Sequence, residues 1–146
     1  MSTDNTVLMN RAQIEACIPH RPPMLLVDEV LERTADHIVC RHTFAADDYF
    51  FQGHYPDYPL VPGVILCEAT MQAGAILLSQ HAGEGVPVAT RMNDVRFKKM
   101  VHPGDTIQME VALVERLANA FFMKGKVICQ DQTAMRFEFA CTLAQE

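Results

Sequence analysis

The sequence predicts an α+β fold in which a curved antiparallel sheet of about six strands wraps around one long central helix. Two observations support this prediction. An almost uniformly apolar stretch follows a proline-rich loop, and the C-terminal half of the chain alternates apolar and polar residues between short turns. A chain of 146 residues is long enough for one domain and short for two. We therefore expect a single domain over 1–146, with 1–17 as an N-terminal segment.

The long helix is predicted to run from Gly63 to about His81. Pro62 can take the first helical position, where its missing N–H costs nothing, and Gly83 and Gly85 are stop signals. Apolar residues cover almost every face of this segment. That pattern indicates a helix enclosed by the rest of the protein rather than one lying on its surface.

Strands are predicted on both sides of the helix. Upstream, Met24–Glu32 and His37–Phe44 are expected to form a hairpin. The stretch 45–62 should be an ordered loop, because its prolines and its glycine disfavour both a regular helix and a central strand. Four consecutive segments then place apolar residues on one face, which favours antiparallel pairing: VPVATRMNDVRFKKM, TIQMEVALVER, AFFMKGKVICQ and TAMRFEFACTLA.

Composition argues against several classes of protein. The chain has 12 Lys and Arg against 18 Asp and Glu, and this acidic balance argues against broad nucleic-acid binding. Its five cysteines are scattered without a CxxC pair, so neither a disulfide framework nor a zinc site is expected. We find no apolar run typical of a signal peptide or membrane span, and we expect a cytoplasmic protein. Motifs for nucleotide or metal cofactors are lacking, so we expect no cofactor and no metal.

Glu68 is the first candidate for chemistry, because it is the only charged residue in the stretch 58–83 and lies within the apolar helix. Burial disfavours the charged form of a carboxyl group, which predicts a general acid near neutral pH. Gln72 follows four residues later on the same helical face and could hold the carboxyl group in one orientation. Alternatively, Glu68 lies at a solvated helix edge or pairs with a basic residue such as Arg21 or Arg91.

His54 and the start of the helix are the other two candidates. The proline-rich loop would hold His54, whose imidazole can act as a base near neutral pH. The N–H groups of Gly63, Val64 and Ile65 should lack intrahelical partners, so they could stabilise negative charge on a carbonyl oxygen. Taken alone, His54 could be a structural histidine of the loop, and Gly63 could be an ordinary start of a helix. The other histidines do not lie in a comparable proline-rich loop before a helix. Together the three candidates fit proton abstraction next to a carbonyl group.

The segment that carries these candidates closely resembles the active-site segment of the FabZ-type 3-hydroxyacyl-(acyl-carrier-protein) dehydratases. It reads FFQGHYPDYPLVPGVILCEATMQAGAILL, with the helix start nine residues after His54 and an acid fourteen residues after it. The resemblance continues in IPHRPPMLLVDEVLE, VRFKKMVHPGD and the final strand, and so covers the chain from about Ile18. It implies the hot-dog fold and dimers that pair sheet edges, commonly assembled as a trimer of dimers.

The resemblance also implies a role for each candidate in converting a (3R)-hydroxyacyl-carrier-protein to the trans-2-enoyl form without a cofactor. His54 would remove the α-proton, and Glu68 of the other subunit would help the β-hydroxyl leave as water. The Gly63 N–H would polarise the thioester carbonyl, and Gln72 would support Glu68. Glutamate rather than aspartate at position 68 resembles the FabZ branch over the FabA branch, whose members can also isomerise the double bond, but this residue alone does not settle isomerase activity.

The same family acts on an acidic carrier protein. Arg96, Lys98 and Lys99 would attract that protein by electrostatic steering, although they could also be a solvated strand end. The acyl tunnel is predicted to be lined by four apolar side chains: Phe50, Phe51, Ile65 and Met92.

Two departures from the family pattern leave the acyl chain length and the pathway open. Pro22 stands where an aromatic residue is usual, and Asp57-Tyr58 stands where Gly-Arg is usual. Two other functions also stay open. One is a hot-dog thioesterase that uses Glu68 to activate water or attack the thioester, and the other is a non-catalytic subunit that binds acyl chains or the carrier protein.

Overall fold

The computed structural model describes residues 6–81 and 85–144. Six strands form one sheet in which every neighbouring pair is antiparallel, and five of them contact one 16-residue helix. This arrangement confirms the predicted α+β class and the hot-dog fold. The elements are α1 (Arg11–Cys17), β1 (Glu29–Arg33), β2 (His37–Thr43), α2 (Gly63–Leu78), β3 (Val86–Phe97), β4 (Thr106–Leu117), β5 (Ala120–Cys129) and β6 (Gln132–Ala144).

Helix α2 begins at Gly63 as predicted, but Pro62 lies just before the helix rather than at its first position. Pro62 is the N-cap in an extended conformation, and Gly63 is the first helical residue. The Ile65 N–H donates to the Pro62 carbonyl over 2.9 Å, so the prediction that this N–H lacks a partner is wrong. The tighter hydrogen bond of the first turn satisfies it, and the N–H groups of Gly63 and Val64 have no acceptor among the described residues.

The C-terminal end of α2 is set by the turn between β1 and β2. The helix stops at Leu78, and His81 lies in the turn that follows, where its Nε2 is 2.8 Å from the Ala35 carbonyl oxygen. This tertiary contact explains why the helix is shorter than the apolar pattern predicts. Gly85 precedes β3, whereas the other predicted stop signal, Gly83, lies outside the described residues.

Strand β3 does not lie beside β2 or β4, its neighbours in the sequence. The spatial order is β1-β2-β4-β5-β6-β3, so β3 pairs only with β6 and forms an edge. The prediction that β3 has one buried face is wrong, since all its residues are exposed except the partly buried Pro87 and Val95. Large apolar side chains therefore lie open along this edge: Val86, Val88, Met92 and Phe97.

Three local features differ from the predicted elements. Helix α1 lies in the N-terminal segment 1–17, for which no helix is predicted; a reciprocal capping box between Asn10 and Gln13, in the pattern Asn-x-x-Gln, starts it. Strand β1 begins at Glu29 rather than Met24, because the backbone groups of Met24 and Leu26 bond to the side chain of Gln72 on α2 instead of a neighbouring strand. A single 3₁₀ turn, Tyr49–Gln52, interrupts the loop and buries Phe51. None of the described helices is long and apolar enough to cross a membrane.

Candidate active site

The loop before α2 holds His54 in one orientation. Its backbone N–H donates to the Phe50 carbonyl over 3.1 Å, and its carbonyl accepts from the Leu60 N–H over 2.9 Å. Its ring Nδ1 lies 3.0 Å from the Leu60 carbonyl oxygen, and the ring stacks on Tyr55 with centroids 4.3 Å apart. A carbonyl oxygen only accepts, so Nδ1 carries the proton and a neutral ring presents the lone pair on Nε2. The half-buried His54 is thus oriented as a base.

Gly63 lies at the start of α2, under the ring of Phe97 at the end of β3. A Cβ built on Gly63 would be 2.6 Å from Phe97 Cε1, so only glycine allows this ring position. The Gly63 N–H takes no acceptor among the described residues, and it points from the positive end of the helix dipole. An N–H of this kind can donate to a carbonyl oxygen on which negative charge develops.

Glu68 lies one and a half turns further along α2, with 29% of its side chain exposed. Its Oε2 accepts from Gln72 Nε2 over 3.0 Å. Gln72 is fully buried; its Oε1 accepts from the Leu26 N–H, and its Nε2 also donates to the Met24 carbonyl, both over 2.7 Å. These two backbone groups fix which end of the amide faces Glu68, so the predicted support of Glu68 by Gln72 has the geometry it needs.

His20 is a neighbour of Glu68 that the sequence reasoning missed. Its Nε2 lies 3.8 Å from Glu68 Oε2, and its side chain is 27% exposed. The basic partners considered from the sequence are elsewhere: Arg21 lies 3.4 Å from Glu15, and Arg91 lies over the Phe122 ring. No spacing in the sequence relates His20 to a residue 48 positions away, and only the fold brings them together.

His54 and Glu68 do not meet within one chain. No hydrogen bond or ion pair joins them in the described parts of the molecule. Glu68 instead belongs to a stripe of α2 that the sheet leaves uncovered, with Val64 four residues before it, 71% exposed, and the partly buried Met71 three residues after it. This stripe and the β3 edge are both open surfaces beside the candidate residues.

A groove of about 600 Å³ runs past the start of α2, between the helix and the end of β3. Gly63, Val64 and Phe97 line it, together with Lys98 and Lys99. Lys99 Nζ donates to the amide oxygens of Gln130 and Gln132 over 3.1 and 3.3 Å, whereas Arg96 pairs with Asp94 over 2.8 Å. The three predicted basic residues therefore differ. The charge of Arg96 is paired with Asp94, whereas both lysines line the groove.

The predicted tunnel residues do not line this groove in the single chain. Phe51 is buried in the core, and Phe50 and Ile65 pack against the core from partly buried positions. Met92 is 42% exposed on β3. Their role in an acyl tunnel stays a prediction. In residues 6–81 and 85–144, no group of three or more His, Cys, Asp or Glu side chains is placed to hold a metal ion.

Comparison with known proteins identifies the family. Residues 18–138 match the FabA-like domain family. The chain is 41% identical over 133 residues to a 3-hydroxyacyl-[acyl-carrier-protein] dehydratase FabZ of Clostridium perfringens (strain SM101 / Type A), which covers 86% of this chain and 96% of the relative. It is 44% identical over 138 residues to the FabZ of Streptococcus pyogenes serotype M49 (strain NZ131), with 92% and 99% covered.

A solved structure supports the fold independently of close sequence similarity. The dehydratase heterocomplex ApeI:P from Xenorhabdus doucetiae matches with a TM-score of 0.76 at 17% identity, and 91% of each chain is covered. At that identity the likeness concerns the fold alone. The sequence matches, together with a loop histidine, a glycine helix start and a helical glutamate in the expected order, show that this chain belongs to the FabA-like family as a FabZ-type 3-hydroxyacyl-[acyl-carrier-protein] dehydratase.

Proposed function

We propose that the chain removes water from a (3R)-hydroxyacyl-carrier-protein to form the trans-2-enoyl-carrier-protein, in fatty-acid or related lipid synthesis. The observation that supports it most is the geometry around α2: an imidazole with a free Nε2, an unpaired N–H at Gly63 and a carboxyl group with one oxygen held. These are the base, the oxyanion donor and the acid that the reaction needs. Dehydratase names among relatives that match most of the chain support the same reaction.

The reaction balances without a further reactant. His54 Nε2 takes the α-proton, and the Gly63 N–H donates to the thioester oxygen as negative charge develops there. The electron pair of the α C–H bond forms the double bond while the β C–O bond breaks. Glu68 gives its proton to the leaving hydroxyl, which departs as water.

A second copy of the chain completes the site in this proposal. No hydrogen bond or ion pair joins His54 to Glu68 in the part of the chain that the structure describes, and Glu68 lies on the uncovered stripe of α2. The unpaired edge of β3, with its exposed apolar side chains, offers a second copy a place to extend the sheet. We propose a homodimer in which His54 faces the partner's Glu68, and a trimer of dimers as its further assembly.

The acyl carrier protein is the proposed partner at the groove. Lys98 is exposed and Lys99 partly so at the rim of the groove beside Gly63, where they can attract an acidic protein even though the chain carries a net charge of −6. Arg96 contributes less because Asp94 neutralises it. All five cysteines are free thiols, which supports the expected reducing cytoplasm as the compartment.

Turnover of a 3-hydroxyacyl-carrier-protein, or of its CoA mimic, tests the reaction. We expect the enoyl thioester to form with no release of free thiol, and His54→Ala to lower kcat by roughly 10²–10⁴-fold. Release of free thiol would instead identify a thioesterase. Binding of the thioester without turnover would identify a non-catalytic subunit. An unchanged rate in both His54→Ala and Glu68→Gln would defeat the proposed roles.

Mixed assemblies test the shared site. Equal amounts of His54→Ala and Glu68→Gln chains, unfolded and refolded together, should form mixed dimers in which one of the two sites has both residues intact. Since half the dimers are mixed, we expect about a quarter of wild-type activity. Parent variants refolded alone are the control. Activity no higher than that of the parents would show that both residues of a site come from one chain.

A further inference from the structure

His20 and Glu68 form a pair that neither the predicted acid–base scheme nor the family resemblance uses. The two side chains are similarly covered, 27% and 29% exposed, and His20 Nε2 faces Glu68 Oε2 at 3.8 Å. The other ring nitrogen, Nδ1, is buried and has no hydrogen-bond partner in the described molecule. A buried polar atom without a hydrogen-bond partner costs free energy, and the cost depends on whether Nδ1 carries a proton.

The unpaired Nδ1 selects one form of the His20 ring. An imidazolium carries a proton on both nitrogens, and would leave a charged N–H donor buried without an acceptor at Nδ1. The neutral ring with its proton on Nε2 leaves only a lone pair there. This form also directs an N–H towards Glu68 Oε2, which lies 3.8 Å from Nε2.

The backbone around His20 is clamped, which makes this placement persistent. The Arg21 guanidinium donates to the carbonyls of Glu15, Ile18 and His20 over 2.9, 2.9 and 2.7 Å. On the other side of the turn, Gln72 binds the backbone of Met24 and Leu26. Both ends of the segment are therefore tied, one of them to the side chain that also holds Glu68.

Both contacts to Glu68 fall on the same oxygen. Gln72 Nε2 and His20 Nε2 both face Oε2, and Oε1 has no partner among the described residues. Oε2 already accepts the Gln72 N–H, so a protonated Glu68 carries its proton on Oε1.

We propose that His20 is a positioning residue for Glu68: as a neutral ring with its proton on Nε2, it faces Oε2 beside the Gln72 amide that bonds this oxygen, and it leaves Oε1 to exchange the proton with the substrate. When Glu68 has given up that proton, the His20 N–H closes on the carboxylate. In this role His20 acts through Glu68 and not on the substrate itself. This inference rests on the proposed role of Glu68 as the acid.

Kinetics of His20→Ala, alone and combined with Glu68→Gln, test the proposal. We expect His20→Ala to lower kcat about tenfold, as misplacement of a reacting group does, with KM changed less than about twofold. In the Glu68→Gln background the same change should have no further effect, because His20 acts only through Glu68. His20→Gln, which keeps a neutral N–H donor, should recover most of kcat, and His37→Ala, at the start of β2, is the matched histidine control.

Nitrogen NMR of ¹⁵N-labelled wild-type protein gives a measurement that needs no variant. We expect His20 to show a protonated Nε2 and a bare Nδ1 near neutral pH. A doubly protonated ring, or the opposite tautomer, would overturn the proposal even if His20→Ala does not fold. Wild-type kcat in a folded His20→Ala would also overturn it while leaving the dehydratase function intact, provided Glu68→Gln is inactive. Full activity in Glu68→Gln would instead defeat the function itself.

Discussion

Asp28 and Glu68 are two carboxylates with almost equal exposure, 30% and 29%, and each lies beside a histidine. Both oxygens of Asp28 are taken: Arg11 and His42 bind Oδ1 over 2.6 and 3.0 Å, and the Thr43 N–H donates to Oδ2 over 2.9 Å. Glu68 has one oxygen held by the Gln72 amide, and its other oxygen has no partner among the described residues. At equal exposure, the two carboxylates therefore differ in the number and the charge of the donors that contact them.

The pKa of Asp28 reflects this difference. Burial alone would raise it, but the hydrogen bond and charge of His42, the Thr43 N–H and Arg11 together lower the pKa of Asp28 from 3.8 to about 2. Asp28 thus joins α1, through Arg11, to the start of the sheet. Its role is structural, whereas we assign Glu68 to the chemistry.

The largest expected effect is on activity, from Glu68→Gln. This change keeps the shape of the side chain and removes the acid, so kcat should fall roughly 10²–10⁴-fold while the midpoint of thermal unfolding moves little. The formation of enoyl thioester by absorbance and a thermal scan measure the two. A large fall in the midpoint with kcat retained would assign Glu68 the structural role given to Asp28.

Gln72→Leu should affect stability and activity together. It leaves the Leu26 N–H and the Met24 carbonyl without their partners, at a cost of about 2–4 kcal/mol in the free energy of unfolding. Urea unfolding measures this cost. Gln80→Leu is the matched control, because the exposed Gln80 amide also donates to a distant backbone carbonyl, that of Thr34 over 2.8 Å. An equal loss of unfolding free energy in both variants would show that burial of the Gln72 amide does not raise the cost.

Asp28→Asn should lower stability and leave the kcat of the folded protein unchanged. The variant loses the charge that pairs with Arg11 and His42, and since the site is partly exposed we expect a loss of about 1–2 kcal/mol in the free energy of unfolding. Urea unfolding and turnover measured on the same preparation separate the two effects. A tenfold fall in kcat at full folding would place Asp28 in the chemistry and end the contrast with Glu68.

The pH dependence of stability tests whether folding lowers the pKa of Asp28. Because its pKa is lowered on folding from 3.8 to about 2, its ionised form stabilises the fold fully above about pH 4. That contribution is lost as the pH falls through about 2. The difference in free energy of unfolding between wild type and Asp28→Asn should therefore shrink between about pH 4 and pH 2. A difference that stays constant over that range would contradict the lowered pKa.

The smallest effect is expected for Glu110→Gln, a third carboxylate that lies on β4. Its Oε1 is 3.8 Å from Lys126 Nζ, in a pair of which the lysine is 48% exposed. Such a pair contributes about 0–1 kcal/mol, so neither kcat nor the urea midpoint should change measurably. A change as large as that of Asp28→Asn would show that partial exposure does not weaken ion pairs in this protein.

The two carboxylates also differ in how far the sequence reasoning could find them. Glu68 is conspicuous because it is a lone charge in an apolar helix, and Gln72 follows from the helical repeat of four residues. Asp28 stands in an ordinary mixed segment, and its partners Arg11 and His42 come from elements that only the fold brings together. His20 was missed beside Glu68 for the same reason.

Local patterns of the chain determined the α+β class, the enclosed helix, the strands and the order of His54, Gly63 and Glu68, because hydrophobic period and turn residues act over a few neighbours. The tertiary structure decided that β3 pairs with β6 as an exposed edge, that α2 ends against the β1–β2 turn and that His20 meets Glu68. The alternating sequence pattern of a strand is the same whether the strand lies at the centre or at the edge of a sheet. Which of its faces is covered depends on contacts between residues far apart in the chain.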